Sequence, residues 1–212
     1  MLTAVESVRV SRWFSMAKKL LATLNDTTLF VQEWLQAPLI TASVTPSSRF
    51  LANAMARWAN PNSKHFVLEL GPGTGAVTQA LIKRGISENK IVCVENNPKM
   101  ANVLGKRFPR THILSGDARE FDQLLQDKFG DLECVDAVIS SLPLKNFPAS
   151  ETEKLSDKIH AILRPHGKWV QYSYNLKREH PKGSERFDLI KSDVVWFNVP
   201  PARLNVYQKN GR

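Results

Sequence analysis

Short apolar runs alternate with amphipathic stretches from Phe66 onward. Five runs rich in Val, Ile and Leu predict strands buried on both faces: FVLEL (66–70), IVCVE (91–95), HILS (112–115), VDAVIS (135–140) and KWVQYSY (168–174). The segments between them predict helices: AVTQALIKRG (76–85), PKMANVLGKRF (98–108), REFDQLLQDKF (119–129) and SETEKLSDKIHAIL (150–163). This alternation predicts a parallel sheet covered by helices.

The pattern changes near the end of the chain. KSDVVWFNVPPARLNVYQK (191–209) predicts two antiparallel strands joined at Pro200-Pro201. With this closing hairpin, the predicted fold is a doubly wound, mostly parallel seven-stranded α/β sheet, Rossmann-like, and in this it resembles the class I methyltransferase fold. We expect Trp196 and Phe197 of the hairpin to pack in the core.

Residues 1–60 follow a helical pattern without strands. Residues 11–24 place Trp13 and four aliphatic side chains on one stripe, with Arg12, Lys18 and Lys19 on other faces. Further helices are predicted from Thr28 to Gln36 and from Ser48 to Ala59. We therefore divide the chain into an extension of amphipathic and lid helices over residues 1–60 and an α/β domain over residues 61–212.

Charge and composition narrow the choice of partners. The formal net charge is +9, and the excess of Lys and Arg lies in residues 1–60 and 160–212. This predicts attraction to an anionic partner, either nucleic acid or an acidic lipid surface. Charged residues interrupt every apolar run well before the ~20 residues of a membrane span. Cys93 and Cys134 have no CxxC or His partner nearby in sequence, so we predict buried thiols in a reducing compartment and no metal site.

The stretch VLELGPGTGAVTQAL (67–81) joins the first strand to the first helix of the domain. Gly71, Gly73 and Gly75 permit a tight turn and leave backbone N–H groups open to a ligand. A dinucleotide cofactor is one reading of such a loop. The spacing is GxGxG, however, and no second mononucleotide-binding half follows.

Three carboxylates favour S-adenosylmethionine as the cofactor. Glu69 lies two residues before the loop, where it can meet the ammonium of an amino-acid moiety. Glu95 ends the second strand, 22 residues after Gly73, where it can accept both ribose hydroxyls. Asp117 follows the third strand, where it can accept from an exocyclic adenine amine.

The methyl acceptor should lie at the end of the fourth strand, where the sequence reads Ser140-Ser141-Leu142-Pro143-Leu144. Enzymes that methylate amino groups of bases use Asn or Asp there, then Pro and an aromatic ring that stacks on the base. Ser141, Leu142 and Pro143 provide neither carboxamide nor ring, although Asn146 and Phe147 lie just beyond. The sequence thus disfavours a nucleobase acceptor.

The chain resembles the bacterial phospholipid N-methyltransferase family, which is distantly related to ribosomal RNA adenine dimethylases. The resemblance rests on five segments: FVQEWLQAPLITASVTPSSRFLANAMA, VLELGPGTGAVTQAL, ISSLPLKNFP, WVQYSY and NVPPARLNVY. It implies stepwise methylation of phosphatidylethanolamine to phosphatidylcholine with S-adenosylmethionine. By position it implies these cofactor-binding residues: Ser47, Ser48, Glu69, Gly71, Gly73, Gly75, Glu95, Asp117 and Ala118. We place Ser140 with them.

The same resemblance assigns the acceptor side. Ser141, Leu142 and Pro143 border the point of methyl transfer, and Tyr174 matches a tyrosine that ends the fifth strand. Because an alkylammonium has no lone pair, a group must orient or deprotonate the amine; Tyr174 is favoured, with Tyr172 and His180 as alternatives.

The N-terminal helix is predicted to dock on anionic lipid, with its apolar stripe alternatively packing on the domain. Arg12, Trp13, Lys18 and Lys19 would meet the membrane, while Lys177 and Arg178 would hold the lipid phosphate or form a solvated loop. We expect a cytoplasmic, peripherally membrane-associated monomer whose partners are a phospholipid substrate and an anionic membrane surface, not nucleic acid.

Three other functions remain open from the sequence. An rRNA adenine N6-dimethyltransferase would suit the basic charge. N-methylation of ornithine lipid or another amine would keep the chemistry and change the acceptor. A non-enzymatic assembly protein would keep the cofactor fold alone.

Overall fold

The computed structural model describes residues 46–130, 134–177 and 180–210. Seven strands lie in the described residues: β1 Phe66–Leu70, β2 Ile91–Glu95, β3 His112–Ser115, β4 Val135–Ser140, β5 Leu163–Ser173, β6 Phe187–Val195 and β7 Ala202–Lys209. The same ranges hold five α-helices: α1 Pro46–Ala56, α2 Ala76–Lys83, α3 Pro98–Arg107, α4 Phe121–Phe129 and α5 Ala149–Ile162. Short 3-10 turns occupy Glu88–Lys90, Ala118–Glu120, Leu144–Asn146 and Ser184–Arg186.

The strands form one sheet in the order β3-β2-β1-β4-β5-β7-β6. β1 to β5 are parallel, and β7 runs antiparallel to both of its neighbours. The predicted doubly wound seven-stranded fold is confirmed. Its strand order reverses between β1 and β4, and in open sheets of this kind ligands bind beside the carboxyl ends of the strands at that point.

Apolar side chains pack on both faces of the sheet. One face packs against α1 and α2, and Leu51 and Met55 of α1 are buried there with Leu81 of α2. The other face packs around Phe121, Trp169 and Tyr207. Burial on both faces explains why the parallel strands read as continuous apolar runs.

The helix α1, which the sequence groups with the N-terminal extension, therefore packs on the sheet as part of this core. The two preceding predicted helices lie outside the described residues. No helix in the described ranges is long and apolar enough to cross a bilayer.

β5 begins five residues earlier than predicted. Its first residue, Leu163, pairs with Val135, and the register then shifts so that Ala137 pairs with Lys168. The intervening Arg-Pro-His-Gly segment is a bulge in which His166 has a φ of 62°. A polar segment with Pro and Gly resembles a turn in sequence, and only its pairing with β4 identifies it as strand.

The expectation that Trp196 and Phe197 pack in the core is wrong. Their side chains are 61% and 77% exposed, because β6 is an edge strand that ends at Val195. Both rings therefore lie in the turn between β6 and β7. That turn stands at the edge of the sheet that carries the carboxyl ends of the parallel strands, since Arg203 pairs with Ser173 at the end of β5.

Candidate active site

The loops after β1 and β4 meet at the reversal of strand order. Leu70 pairs with Ser140, and the Ser141 N–H donates to the Leu70 carbonyl at 2.9 Å. On the other side of β1, the Gly71 N–H donates to the Val94 carbonyl at 3.0 Å. These bonds fix the start of the glycine loop between the second and fourth strands.

Each of the three loop positions requires glycine for a different structural reason. All three have positive φ: 71° at Gly71, 53° at Gly73 and 79° at Gly75. A Cβ at Gly75 would lie 2.6 Å from the Phe108 ring, and one at Gly71 would lie 3.2 Å from the Leu142 side chain. A Cβ at Gly73 would meet no atom within 4 Å, so this backbone faces open space that a ligand can enter.

Glu95 fixes the glycine loop through hydrogen bonds from its carboxylate to backbone N–H groups. Its Oε2 accepts from the Gly73 N–H at 3.0 Å, and its Oε1 accepts from the Asn97 N–H at 2.9 Å. A carboxylate offers about four acceptor positions, so two remain for the hydroxyls of a ribose. The predicted role of Glu95 therefore fits its geometry.

Glu69 is fully buried beneath the loop. Its Oε2 accepts from the Thr78 hydroxyl at 2.7 Å and from the Cys93 thiol at 3.6 Å, while its Oε1 is buried without a hydrogen-bond partner in the described structure. Burial raises the pKa of Glu69 to about 7. A cationic group placed near this carboxyl would favour its charged form, as predicted for an amino-acid ammonium.

Asp117 begins the 3-10 turn Ala118–Glu120. Both of its carboxylate oxygens accept from the Arg119 guanidinium, at 2.6 to 3.1 Å, and Arg119 also pairs with Glu151 at 2.7 Å. The hydrogen bonds from Arg119 lower the pKa of Asp117. The carboxylate is thus charged and available as an acceptor, but an adenine amine would share it with Arg119.

The acceptor corner follows β4. The Leu142 N–H donates to Ser140 Oγ at 3.4 Å, and the Leu142 side chain covers Gly71. Gln171 of β5 donates from Nε2 to the Leu142 carbonyl at 3.0 Å, and its Oε1 is buried without a partner among the residues that the structure describes. The sequence analysis missed Gln171, although a lone amide inside the apolar run WVQYSY was the available signal.

Tyr172 and Tyr174 stand at the end of β5, with ring centroids 5.4 Å apart. Burial raises the pKa of both phenols, so both are neutral at physiological pH. The Tyr174 hydroxyl bonds to the Tyr172 hydroxyl and to Asn198. A neutral hydroxyl can orient an amine but is poorly suited to deprotonate it. Asn198, buried in the β6–β7 turn, is a second residue that the sequence analysis missed.

Comparison with known proteins shows which families and structures the chain is similar to. Residues 67–167 match a protein family described as "Methyltransferase domain". The chain is 29% identical over 187 residues to an ornithine lipid N-methyltransferase of Singulisphaera acidiphila, which covers 84% of this chain and 94% of that protein. It also has the fold of the N-methyltransferase NodS from Bradyrhizobium japonicum WM9 in complex with S-adenosyl-L-homocysteine, with a TM-score of 0.59, 14% identity and coverage of 84% and 97% of the two chains.

The chain has the class I methyltransferase fold, and residues 67–167, just under half of its length, match the methyltransferase domain family. A third similarity is partial: ribosomal RNA small subunit methyltransferase A of Synechococcus sp. is 35% identical over 91 residues, which is 42% of this chain and 29% of that protein.

S-adenosylmethionine is the cofactor of this methyltransferase. The residues present fit it: Gly73 faces open space, Glu95 retains two acceptor positions, and Glu69 has a buried oxygen that lacks a partner. The individual assignments remain predictions. So does the role of Ala118, which is buried in the 3-10 turn beside Asp117.

Other predicted site residues are not brought to the acceptor corner. His180 donates to or accepts from the Tyr207 hydroxyl at 3.0 Å, and Tyr207 packs on the sheet face opposite to Tyr172 and Tyr174. His180 is therefore not an alternative base for this methyltransferase. Lys177 is exposed on the loop after β5, and its contact with a lipid phosphate stays a prediction.

Ser47 and Ser48 lie in the first turn of α1, and their closing over the cofactor stays a prediction. The predicted membrane residues Arg12, Trp13, Lys18 and Lys19, and the predicted phosphate-binding Arg178, lie outside the described residues.

Proposed function

We propose that this methyltransferase N-methylates the primary amine of a membrane lipid headgroup. One observation carries the proposal: after β4 the chain has Leu142 and Pro143 where a nucleobase acceptor needs an amide or carboxylate and a stacking ring. The nearest ring after β4, Phe147, packs against the core and lies under the Arg119 guanidinium at 5.8 Å.

The headgroup is of the ornithine lipid or phosphatidylethanolamine type. Similarity to an ornithine lipid N-methyltransferase over 94% of its length supports the first. The five segments that resemble phospholipid N-methyltransferases support the second, with phosphatidylcholine as its final product. Both acceptors present an aliphatic amine, so the same corner serves either.

The chemistry requires a neutral amine, an aligned lone pair and the exclusion of water. When bound, S-adenosylmethionine supplies an electrophilic methyl group on a sulfonium. The headgroup ammonium first loses a proton to solvent, so that its nitrogen has a lone pair to offer to the methyl group that the cofactor would supply. An aliphatic amine titrates near pH ~10, so the reacting neutral form is a minority at neutral pH.

Residues of the chain then act on the amine. The Tyr174 hydroxyl can accept an N–H bond, which turns the lone pair away from it. Gln171 positions the loop after β4 through its bond to the Leu142 carbonyl. Leu142 and Pro143 provide an apolar wall that limits water in the corner, and this suits a small amine better than a planar heterocycle.

An rRNA adenine methyltransferase is the main rival. Its support is the partial similarity to ribosomal RNA small subunit methyltransferase A, which spans 29% of that protein. An adenine acceptor needs a stacking surface and an amide or carboxylate after β4. Leu142 and Pro143 provide neither.

A competition assay tests the proposal. The purified chain is incubated with labelled S-adenosylmethionine and vesicles that contain ornithine lipid and phosphatidylethanolamine, together with ribosomal RNA, and labelled species are identified by mass. We expect label on lipid amines, with Asp117→Ala as the control that loses cofactor binding. Label on RNA alone would contradict the proposal.

A second assay tests the acceptor corner. Tyr174→Phe should lower kcat/KM for the lipid about tenfold through loss of one hydrogen bond and leave the Kd of the cofactor unchanged. Tyr207→Phe, a buried tyrosine on the opposite face, is the matched control and should change kcat/KM by less than about twofold. Equal effects of the two variants would remove Tyr174 from the acceptor corner.

A further inference from the structure

The β6–β7 turn and α1 together expose a group of apolar side chains, which we call the aromatic tip: Phe50, Trp196, Phe197 and Val199. Phe50 is 50% exposed and Val199 40%, while Trp196 and Phe197 are 61% and 77% exposed. The Phe50 and Phe197 rings lie in contact, with centroids 5.6 Å apart. Two separate elements thus contribute to one continuous apolar surface.

The aromatic tip lies on the active edge of the sheet. The turn between β6 and β7 follows Val195, which pairs with Ala202 beside the end of β5. Asn198, between Phe197 and Val199, is buried; its Nδ2 donates to the Pro200 carbonyl at 2.7 Å, and its side chain bonds to the Tyr174 hydroxyl. The turn that carries the rings is therefore braced by the tyrosine of the acceptor corner.

The charges around the aromatic tip are positive or absent. No charged residue lies between Asp193 and Arg203. α1 carries Arg49 and no acidic residue, Arg57 directly follows it, and both arginines are exposed. Within the described ranges neither forms an ion pair. An apolar tip with the exposed Arg49 next to Phe50 is complementary to an interface of acyl chains and anionic headgroups.

We propose that the aromatic tip inserts into the headgroup region of an anionic bilayer and holds the acceptor corner against it. Trp is favoured at that depth because its ring is apolar and its N–H can still reach water. Single-stranded RNA is the competing occupant, since aromatic rings also stack on bases. The bilayer is favoured because Val199 and the half-buried Pro200 continue the surface, and because the turn itself lacks the cations that would follow a phosphate backbone.

The consequence for catalysis rests on the proposed function, but the contact itself does not. Headgroup amines of a bilayer are fixed at its surface, so an enzyme must bring its acceptor corner to them. The aromatic tip supplies a contact that is separate from the predicted N-terminal helix and lies beside the reacting groups.

Vesicle binding of the full chain tests the proposal. Trp196→Ser/Phe197→Ser should lower partitioning onto equimolar phosphatidylglycerol and phosphatidylcholine vesicles about tenfold or more. Val103→Ser/Ile190→Ser, which removes two exposed apolar side chains away from the tip, should partition like wild type. All four positions are exposed, so thermal unfolding should confirm that both variants are folded.

The depth of Trp196 in the bilayer is measured separately, with vesicles that contain brominated lipids. In wild type they should quench part of the tryptophan fluorescence. Trp196→Phe should retain vesicle binding within about threefold, because Phe preserves most of the apolar area, but should lose that quenching. Unchanged quenching would show that Trp196 does not enter the bilayer and would overturn the proposal.

The outcomes separate this proposal from the proposed function. If the serine variant partitions like wild type, or loses single-stranded RNA binding and not vesicle binding, the aromatic tip is not a membrane contact. If it loses partitioning but wild type methylates no lipid amine, the tip stands and the proposed function fails. If wild type and Trp196→Ser/Phe197→Ser methylate vesicle lipid equally well, the proposed function stands and the tip proposal is overturned.

Discussion

Glu69 shows how a single residue links stability to cofactor binding. Its carboxyl is buried, with one oxygen bonded to Thr78 and Cys93 and the other without a partner. Burial raises its pKa from 4.5 to about 7, so the folded protein holds a proton that the unfolded chain releases at lower pH. Such a group stabilises the fold below pH 4.5, and that contribution is lost as the pH rises towards 7.

Glu69→Gln should therefore remove a pH dependence. In wild type, Glu69 lowers the free energy of unfolding by roughly 3 kcal/mol between about pH 4.5 and about pH 7. In the variant this decrease should be absent, because glutamine does not titrate. Urea unfolding at several pH values measures it, and parallel profiles for the two proteins would contradict the expectation.

Gly75 predicts a second effect at the residue scale. A Cβ at Gly75 would lie 2.6 Å from Phe108 and 2.8 Å from Leu104, and both side chains are buried. Gly75→Ala should cost about 2–4 kcal/mol and weaken cofactor binding, since overpacking adds to the cost of a positive φ.

Gly130→Ala is the matched control for Gly75→Ala. Gly130 also has a positive φ, 66°, but a Cβ there would meet no atom within 4 Å. Its cost should be about 1–3 kcal/mol, from backbone strain alone, because its ψ of −134° places it in a region that is essentially restricted to glycine. Equal costs in urea unfolding would show that packing against Phe108 is not the reason for the glycine.

The sequence predicts cofactor residues better than acceptor residues. Gly71, Glu95 and Asp117 follow from the ends of local strands, where a motif and its ligand lie close in the chain. Gln171 and Asn198 reach the acceptor corner from β5 and from the β6–β7 turn, far apart in sequence. Their roles depend on strand pairing, which periodicity does not reveal.

At the scale of elements, β4 and β5 are joined by a buried ion pair at their bulge. Asp136, almost fully buried in β4, accepts from Arg164 at 2.6 and 2.8 Å and from the Asn60 N–H at 3.2 Å. The bond to Asn60 also ties down the segment that follows α1. One carboxylate thus holds three elements of the chain in register.

Asp136→Ala should cost about 3 kcal/mol or more, because it leaves the partner groups of a buried pair unsatisfied. Glu88→Ala, which removes the partner of exposed Arg110, should cost less than about 1 kcal/mol. Urea unfolding compares them. A small loss for Asp136→Ala would mean that water replaces the carboxylate at the bulge.

Element boundaries also show where sequence reasoning succeeds. The first four strands were predicted with their observed bounds, since each is an apolar run buried on both faces. The early start of β5 and the exposed end of β6 were missed. In both cases position in the sheet, at a bulge or at an edge, overrides the local pattern.

For the whole molecule, the net charge of +9 and the aromatic tip predict two separable parts of membrane binding. Attraction of the cations to anionic vesicles is screened by salt, whereas burial of aromatic rings is not. Raising the salt from about 0.05 M to about 0.5 M should weaken binding to anionic vesicles by at least about tenfold. A weaker, salt-independent binding should remain.

That remaining binding should be smaller in Trp196→Ser/Phe197→Ser, and its salt-sensitive part should match wild type. Sedimentation with anionic and with neutral vesicles across the salt series measures both parts. Binding that vanishes completely at high salt in wild type would exclude a contribution from the rings.

The antiparallel β7 has an evolutionary consequence. It pairs with β5 along one side and β6 along the other, so the peptide that links β6 to β7 starts and finishes on strands whose register is already set. Replacing Trp196, Phe197 and Val199 with other side chains, while buried Asn198 is kept, would leave the bond to Tyr174 intact and change only the exposed surface of the turn. Relatives of this enzyme could thus have acquired new targets by swapping one connector, with no redesign of their interior.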